Sequence, residues 1–147
     1  MAARLGFLHT SPVHVATFAR LADELCPEIP LAHVVDEDLL ADARREGITP
    51  QLARRIEAIL DALVQEGAAV VVCTCSTIGG CAEEAARRRG VALVRVDRAM
   101  AQQAVALGER IAVVAALAST LAPTRQLILA EAVSAVFQMP IALAPAA

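Results

Sequence analysis

The chain contains no lysine: all 13 of its basic residues are arginine. That absence removes every mechanism needing a lysine of this chain, among them a pyridoxal phosphate Schiff base, a lysine-type aldolase and a Walker A phosphate loop. Tryptophan and tyrosine are also missing, and aromatic residues make up 2% of the 147 positions. Too few rings remain for the base-stacking platforms of RNA- and single-strand-binding modules. A formal charge of −3 and a pI near 5.6 offer no basic patch for nucleic acid or an anionic membrane surface. No apolar run reaches the length of a bilayer span. The N-terminus shows no basic region followed by an apolar core and a small-residue cleavage site. The expectation is a cytoplasmic protein whose four cysteines, Cys26, Cys73, Cys75 and Cys81, are reduced thiols. No Cys-x-x-Cys pair occurs, and Cys73-x-Cys75 alone is a weak zinc signal, so neither a metal nor another cofactor is expected.

What is present is a chain that is 57% hydrophobic, long enough for one domain or slightly more and for a core without covalent staples. Short apolar runs alternate with amphipathic segments. Strands are expected at Leu5–Leu8, Leu31–Val35, Ala68–Cys73, Val91–Val96 and Arg110–Ala115, the three consecutive valines of the third marking a central parallel strand. Between them, Ser11-Pro12 and Thr49-Pro50 repeat a cap-then-proline helix start. Leu52, Ile56, Ile59, Leu60 and Leu63 form one helical stripe, closed by Gly67. Further helices are expected at Cys81–Arg89, stopped by Gly90, at Ala99–Leu107 and at Leu121–Val136. The acidic stretch Asp36–Asp38 reads as a solvated loop, and the tail, residues 139–147, as a weakly packed end. The fold class is α/β, a mostly parallel sheet flanked by helices. Ligands of such sheets bind at the carboxyl ends of the strands.

Of the loops at those ends, Thr74–Gly80 carries the most chemistry. Cys75 follows a central strand and precedes a helix, where the positive end of the dipole favours a thiolate. Gly79 and Gly80 read as a backbone anion nest, and Thr74, Ser76 and Thr77 as hydroxyl donors to a carboxylate. The bland alternative is that Cys75 is one more small buried residue. Cys26, Cys73 and Cys81 read as packing residues. His9, at a strand end, is a candidate to face the pocket, whereas His14 and His33 suit surface or core. Asp97 stands at a strand's carboxyl end and also suits a helix cap.

The succession GFLHTSP, HVVDEDLL, VVVCTCSTIGG, VALVRVDRAMAQQAV and RIAVVAALASTLAPT resembles the aspartate/glutamate racemase superfamily. That group includes glutamate, aspartate and hydantoin racemases, maleate isomerases and arylmalonate decarboxylases. The resemblance implies one lobe of a two-lobed α/β fold with a cofactor-free site between pseudosymmetric lobes. One cysteine thiolate there removes an α-proton and a second thiol reprotonates the opposite face. Cys75-Ser76-Thr77 matches the family's Cys-Asn-Thr motif, so the resemblance implies Cys75 as the first acid/base residue, with Ser76 in place of asparagine. It likewise implies Thr77, Thr10, Ser11 and Thr120 as substrate-binding residues. Residues 1–108 correspond to the first lobe. Residues 109–147 correspond to the first strand and helix of an incomplete second lobe, plus a tail. No second catalytic cysteine can be matched, since Cys26, Cys73 and Cys81 all fall in the first lobe. The expectation is therefore a fragment, a truncated relative, or a homo-oligomer in which two copies each bring a Cys75. The implied activity is racemisation of a small amino acid or related carboxylate. The alternatives are a decarboxylase, a maleate isomerase, or an inactive lobe used for binding or assembly.

Overall fold

The computed structural model describes residues 3–138, with side chains described through residue 136; the tail, residues 139–147, lies outside them. Four strands are present, β1 (Arg4–His9), β2 (Leu31–Val35), β3 (Ala68–Cys73) and β4 (Leu93–Arg95). Helices α1 (Val13–Leu25), α2 (Glu37–Glu46), α3 (Pro50–Gln65), α4 (Ser76–Arg89), α5 (Arg98–Leu107) and α6 (Ala118–Gln138) connect and follow them. All strand pairs are parallel, in the order β2-β1-β3-β4. The fold class is thus α/β, as the alternation of apolar runs and amphipathic stripes requires.

One face of the sheet buries the larger core. Leu52, Ile56, Leu60 and Leu63 line the inner side of α3 and meet Leu8 of β1 and Val71 and Cys73 of β3. The start of α3 is set as expected: the Thr49 hydroxyl accepts from the Leu52 N–H at 3.2 Å, and Pro50 occupies the first turn, where its missing N–H costs nothing. Helix α4 adds Ile78, Ala82, Ala85 and Ala86 to the same core and stops at Gly90, whose φ of 67° is left-handed. On the opposite face Phe7 of β1 stacks on His33 of β2 and packs against Phe18 of α1.

Three expectations are corrected. Asp36–Asp38 is not a solvated loop but the start of α2. Asp36 holds the cap position, Glu37 and Asp38 lie in the first turn, and Arg44 and Arg45 in the last, each charge set at the end of the dipole that favours it. Leu39 and Ala43 bury its inner face. Helix α4 begins at Ser76, not Cys81. Third, Arg110–Ala115 pairs with no strand: among the described residues the sheet ends at β4. The run has no regular secondary structure, and its side chains are exposed apart from half-buried Val113 and Ala115, with Val114 93% exposed. An apolar run becomes a strand only where a neighbour completes its hydrogen-bond ladder, and none of the described strands does so.

After that run, α6 starts earlier than expected, so Pro123 sits inside the helix and deprives the carbonyl of Ser119 of its helical donor. Thr124, Leu127 and Glu131 turn the buried side of α6 towards α4 and α5. Leu129, Val133 and Val136 are exposed; Leu129 and Val136, with Ile111 and Val113, border an apolar hollow of about 630 Å³.

Two substitutions separate the packed core from the unpaired run. Ile56→Ala, at a fully buried site, is expected to lower unfolding free energy by about 2–5 kcal/mol. Val114→Ala is expected to change it by less than about 0.5 kcal/mol. Urea unfolding of the two variants measures both.

Candidate active site

The strand order places a crevice before any side chain is considered. From β1 the chain moves to β2 on one side, and β3 and β4 lie on the other, so the order reverses between β1 and β3. A crevice opens at the carboxyl ends of the strands at such a reversal. The residues there are His9, Thr10 and Ser11 after β1, and Thr74 and Cys75 after β3.

Thr74 and Cys75 form the whole connection from β3 to α4, and both are buried. The Thr74 N–H donates to Leu8 O at 3.0 Å, extending the β1–β3 ladder by one bond. Cys75 occupies the cap position of α4, with extended backbone and no side-chain cap. The N–H groups of Ser76, Thr77 and Ile78 therefore lack intrahelical acceptors. Gly79 and Gly80, expected to form the anion nest, do not: they lie past the first turn, where their N–H groups belong to the helix. The open donors belong instead to Ser76, Thr77 and Ile78.

Gly79 serves the packing of Arg95. A Cβ on Gly79 would lie 2.7 Å from Arg95 Nε and 3.0 Å from Cζ. Arg95 is 4% exposed and donates from Nε and Nη2 to Asp97 at 2.9 and 2.8 Å. Asp97 holds the cap position of α5, as expected, but without a side-chain cap bond: its carboxylate is taken by Arg95 and is not a free pocket carboxylate. Burial works to raise its pKa, but hydrogen bonds and charge from Arg95, together with the Ser76 hydroxyl, outweigh it and hold the carboxyl below its ordinary value. Glu83 faces Arg95 and also pairs with Arg98, which reaches Glu131 of α6.

The other side of the turn rests on histidines. His9 is fully buried; its Nδ1 lies 2.8 Å from the Thr74 hydroxyl and its Nε2 2.9 Å from His33 Nδ1. Burial first, then the neighbouring His33 and His14, lower its pKa from 6.5 to about 4. Burial lowers His33 as well. The expectation that His9 faces a pocket is corrected: its ring is enclosed by Phe7, Phe18 and the other two histidines.

Thr77 and Thr120, distant in sequence, come together: their hydroxyl oxygens are 3.4 Å apart, and Ser119 lies equally close to Thr77. Thr10 is buried and Ser11 half-buried beside the turn, but the side-chain bond from the end of β1 to the turn comes from His9. Cys73 points its thiol at Cys75 O, 3.7 Å away, and burial pushes its pKa to about 12. Cys81 borders a separate cavity of about 300 Å³ that includes Thr77 and Arg95 but not Cys75. Burial raises its thiol too. Among the described residues no three His, Cys, Asp or Glu side chains are grouped to hold a metal ion. No described helix is long and apolar enough to cross a membrane.

Arg95 and the His9–His33 pair were not legible as site residues. The signals were there: Arg95 is a charged residue between Val94 and Val96 with an acidic residue, Asp97, two positions on, and Phe7 shares a strand face with His9. No protein-family model and no curated protein matches this chain.

Two measurements follow. Gly79→Ala forces Arg95 from Asp97 and should cost about 3–5 kcal/mol, the cost of breaking a buried pair, against no more than a few tenths for Gly80→Ala, where the nearest atom is 3.6 Å away. His9 stays neutral in the folded state down to about pH 4, while the unfolded chain takes up the proton near 6.5. Stability should therefore fall by about 3 kcal/mol between those pH values and level off below them. His9→Asn should remove that part of the slope in urea titrations.

Proposed function

We propose that this protein is a cofactor-independent racemase-like enzyme acting on the α-carbon of a small amino acid or related carboxylate. The observation that carries the reading is Cys75 at the uncapped start of α4, at the reversal of strand order. An α-carboxylate suits the open N–H groups of Ser76, Thr77 and Ile78, since helix starts attract anions. The hydroxyls of Thr77 and Thr120, already adjacent, add donors, with Thr10 and Ser11 around them; Ser76 contributes its backbone N–H, its hydroxyl being held by Asp97. The Cys75 thiolate then removes the α-proton, and donors aimed at the carboxylate stabilise the charge that spreads onto it. No lysine is required, in keeping with its absence. The reading assigns the protein to the cytoplasm, where such a thiol stays reduced.

Reprotonation on the opposite face needs a second thiol. Cys73 is held protonated inside the sheet, and Cys81 borders a cavity that Cys75 does not line. We therefore assign the second acid to Cys75 of another copy, in a homo-oligomer. A single thiol per site favours a second reading, decarboxylation followed by one-sided protonation.

Incubation with a panel of amino acids and substituted malonates in D2O tests both. Racemisation predicts deuterium at the α-carbon, reduced about 10²–10⁴-fold in Cys75→Ala, and a dimer or larger by light scattering. Carbon dioxide release with deuterium in one enantiomer selects decarboxylation. No exchange and no release with any substrate, or activity unchanged in Cys75→Ala, contradicts the assignment.

A further inference from the structure

Buried His9 and half-buried His33 form a hydrogen-bonded chain that ends on the turn carrying Cys75, and nothing in the proposed chemistry uses them. We propose that the chain His33–His9–Thr74 is a proton-operated latch on that turn, closed while both imidazoles are neutral and released when acid charges either one. This rests on the reading of Cys75 as the reacting group and names a regulation of the same site.

The hydrogen-bond directions make the chain intolerant of a further proton. The Thr74 hydroxyl is 3.3 Å from Leu8 O, to which it donates, so its oxygen accepts from His9 Nδ1–H. His9 Nε2 is then an acceptor, satisfied by His33 Nδ1–H. His33 Nε2 is left as a buried nitrogen without a partner. These tautomers are assigned from the network, and the reversed chain also ends at that same atom. A proton added to His9 creates two opposed donors 2.9 Å apart, relieved only by moving the His33 hydrogen to Nε2. A proton added to His33 goes to Nε2 directly. Either way a buried N–H forms with no acceptor, a state proteins avoid.

No carboxylate offsets the charge. The group facing His9 from β2 is His33, and from α1 it is His14. Phe7 and Phe18 supply apolar ring surface. Asp36, before α2, reaches His9 through its backbone N–H, while its carboxylate pairs with Arg55. One link must therefore open. His9 and His33 lie within the β1–β2 ladder, whereas Thr74 keeps only its last ladder bond, to Leu8 O, and leads straight into the irregular turn, so the turn yields beyond that bond and Cys75 moves with it.

Site-resolved labelling of the full chain with 2,2′-dithiodipyridine, from pH 7 to pH 4, tests the latch. The Cys75 rate is divided by that of the same cysteine in the urea-unfolded chain at the same pH, which removes the pH dependence of the reagent. The ratio should rise at least about tenfold towards pH 4 while Cys73, in the adjoining strand, stays unlabelled. His9→Asn keeps a donor for Thr74 but cannot take up the proton, and its ratio should stay flat. A flat wild-type ratio, or Cys73 labelling in step with Cys75, overturns the latch. So does an NMR titration in which His9 or His33 of the wild type protonates with an ordinary midpoint near 6.5, a test that needs no variant to fold. Failure of the racemase reading shows separately, as absent deuterium exchange with the labelling profile intact.

Discussion

A central, fully paired strand has to end and a helix has to begin within Thr74 and Cys75, and the candidate site follows from that constraint. β3 lies between β1 and β4, so its backbone is paired on both edges. Thr74 N–H still belongs to the ladder, through Leu8 O. By Ser76 the backbone is helical. Cys75 alone makes the change from one to the other, and as a helix cap without a side-chain acceptor it leaves the first N–H groups of α4 open.

So short a turn, buried in the sheet end, cannot depend on solvent for its polar groups. It is held from two directions by different chemistry. On one side, neutral His9 donates to the Thr74 hydroxyl oxygen, in a chain running to His33 of β2. On the other, an ionised buried pair, Arg95–Asp97, reaches Ser76 and crosses Gly79. The neutral side resists protons and the ionised side depends on charge, so pH acts on the turn unequally. A buried pair of this kind adds little to net stability but penalises any arrangement that separates its members. That is how it fixes the approach of β4 to α4.

The parts of this arrangement that depend on near neighbours were legible in the sequence. Thr49-Pro50 announces α3 because cap and proline act on adjacent residues, and the valines of β3 announce a strand between two neighbours because such a strand carries apolar residues on both faces. The association of Thr77 with Thr120 was reached through a family resemblance, not through spacing. Other parts depend on distant partners. A glycine pair after a cysteine reads equally as an anion nest or as room for a side chain, and Arg95, which decides it, lies on another strand. Asp36–Asp38 conceals α2 because its charges outnumber the two residues, Leu39 and Ala43, that bury its face. Arg110–Ala115 has the apolar, β-branched composition of a strand, but pairing is not a local property, and among the described residues the sheet ends at β4. The His9–His33 bond is visible only once the register pairs Phe7 with His33.

Cys75 as the reacting thiol in a carboxylate site is tested most directly by protection. Iodoacetamide modification is followed at each cysteine by mass spectrometry, with and without the amino acid or dicarboxylate that supports exchange. If the turn at the start of α4 binds the substrate carboxylate, ligand slows modification of Cys75 and leaves Cys26, at the far end of α1, unchanged. Modification of Cys75 at the same rate with saturating ligand as without it would contradict the assignment.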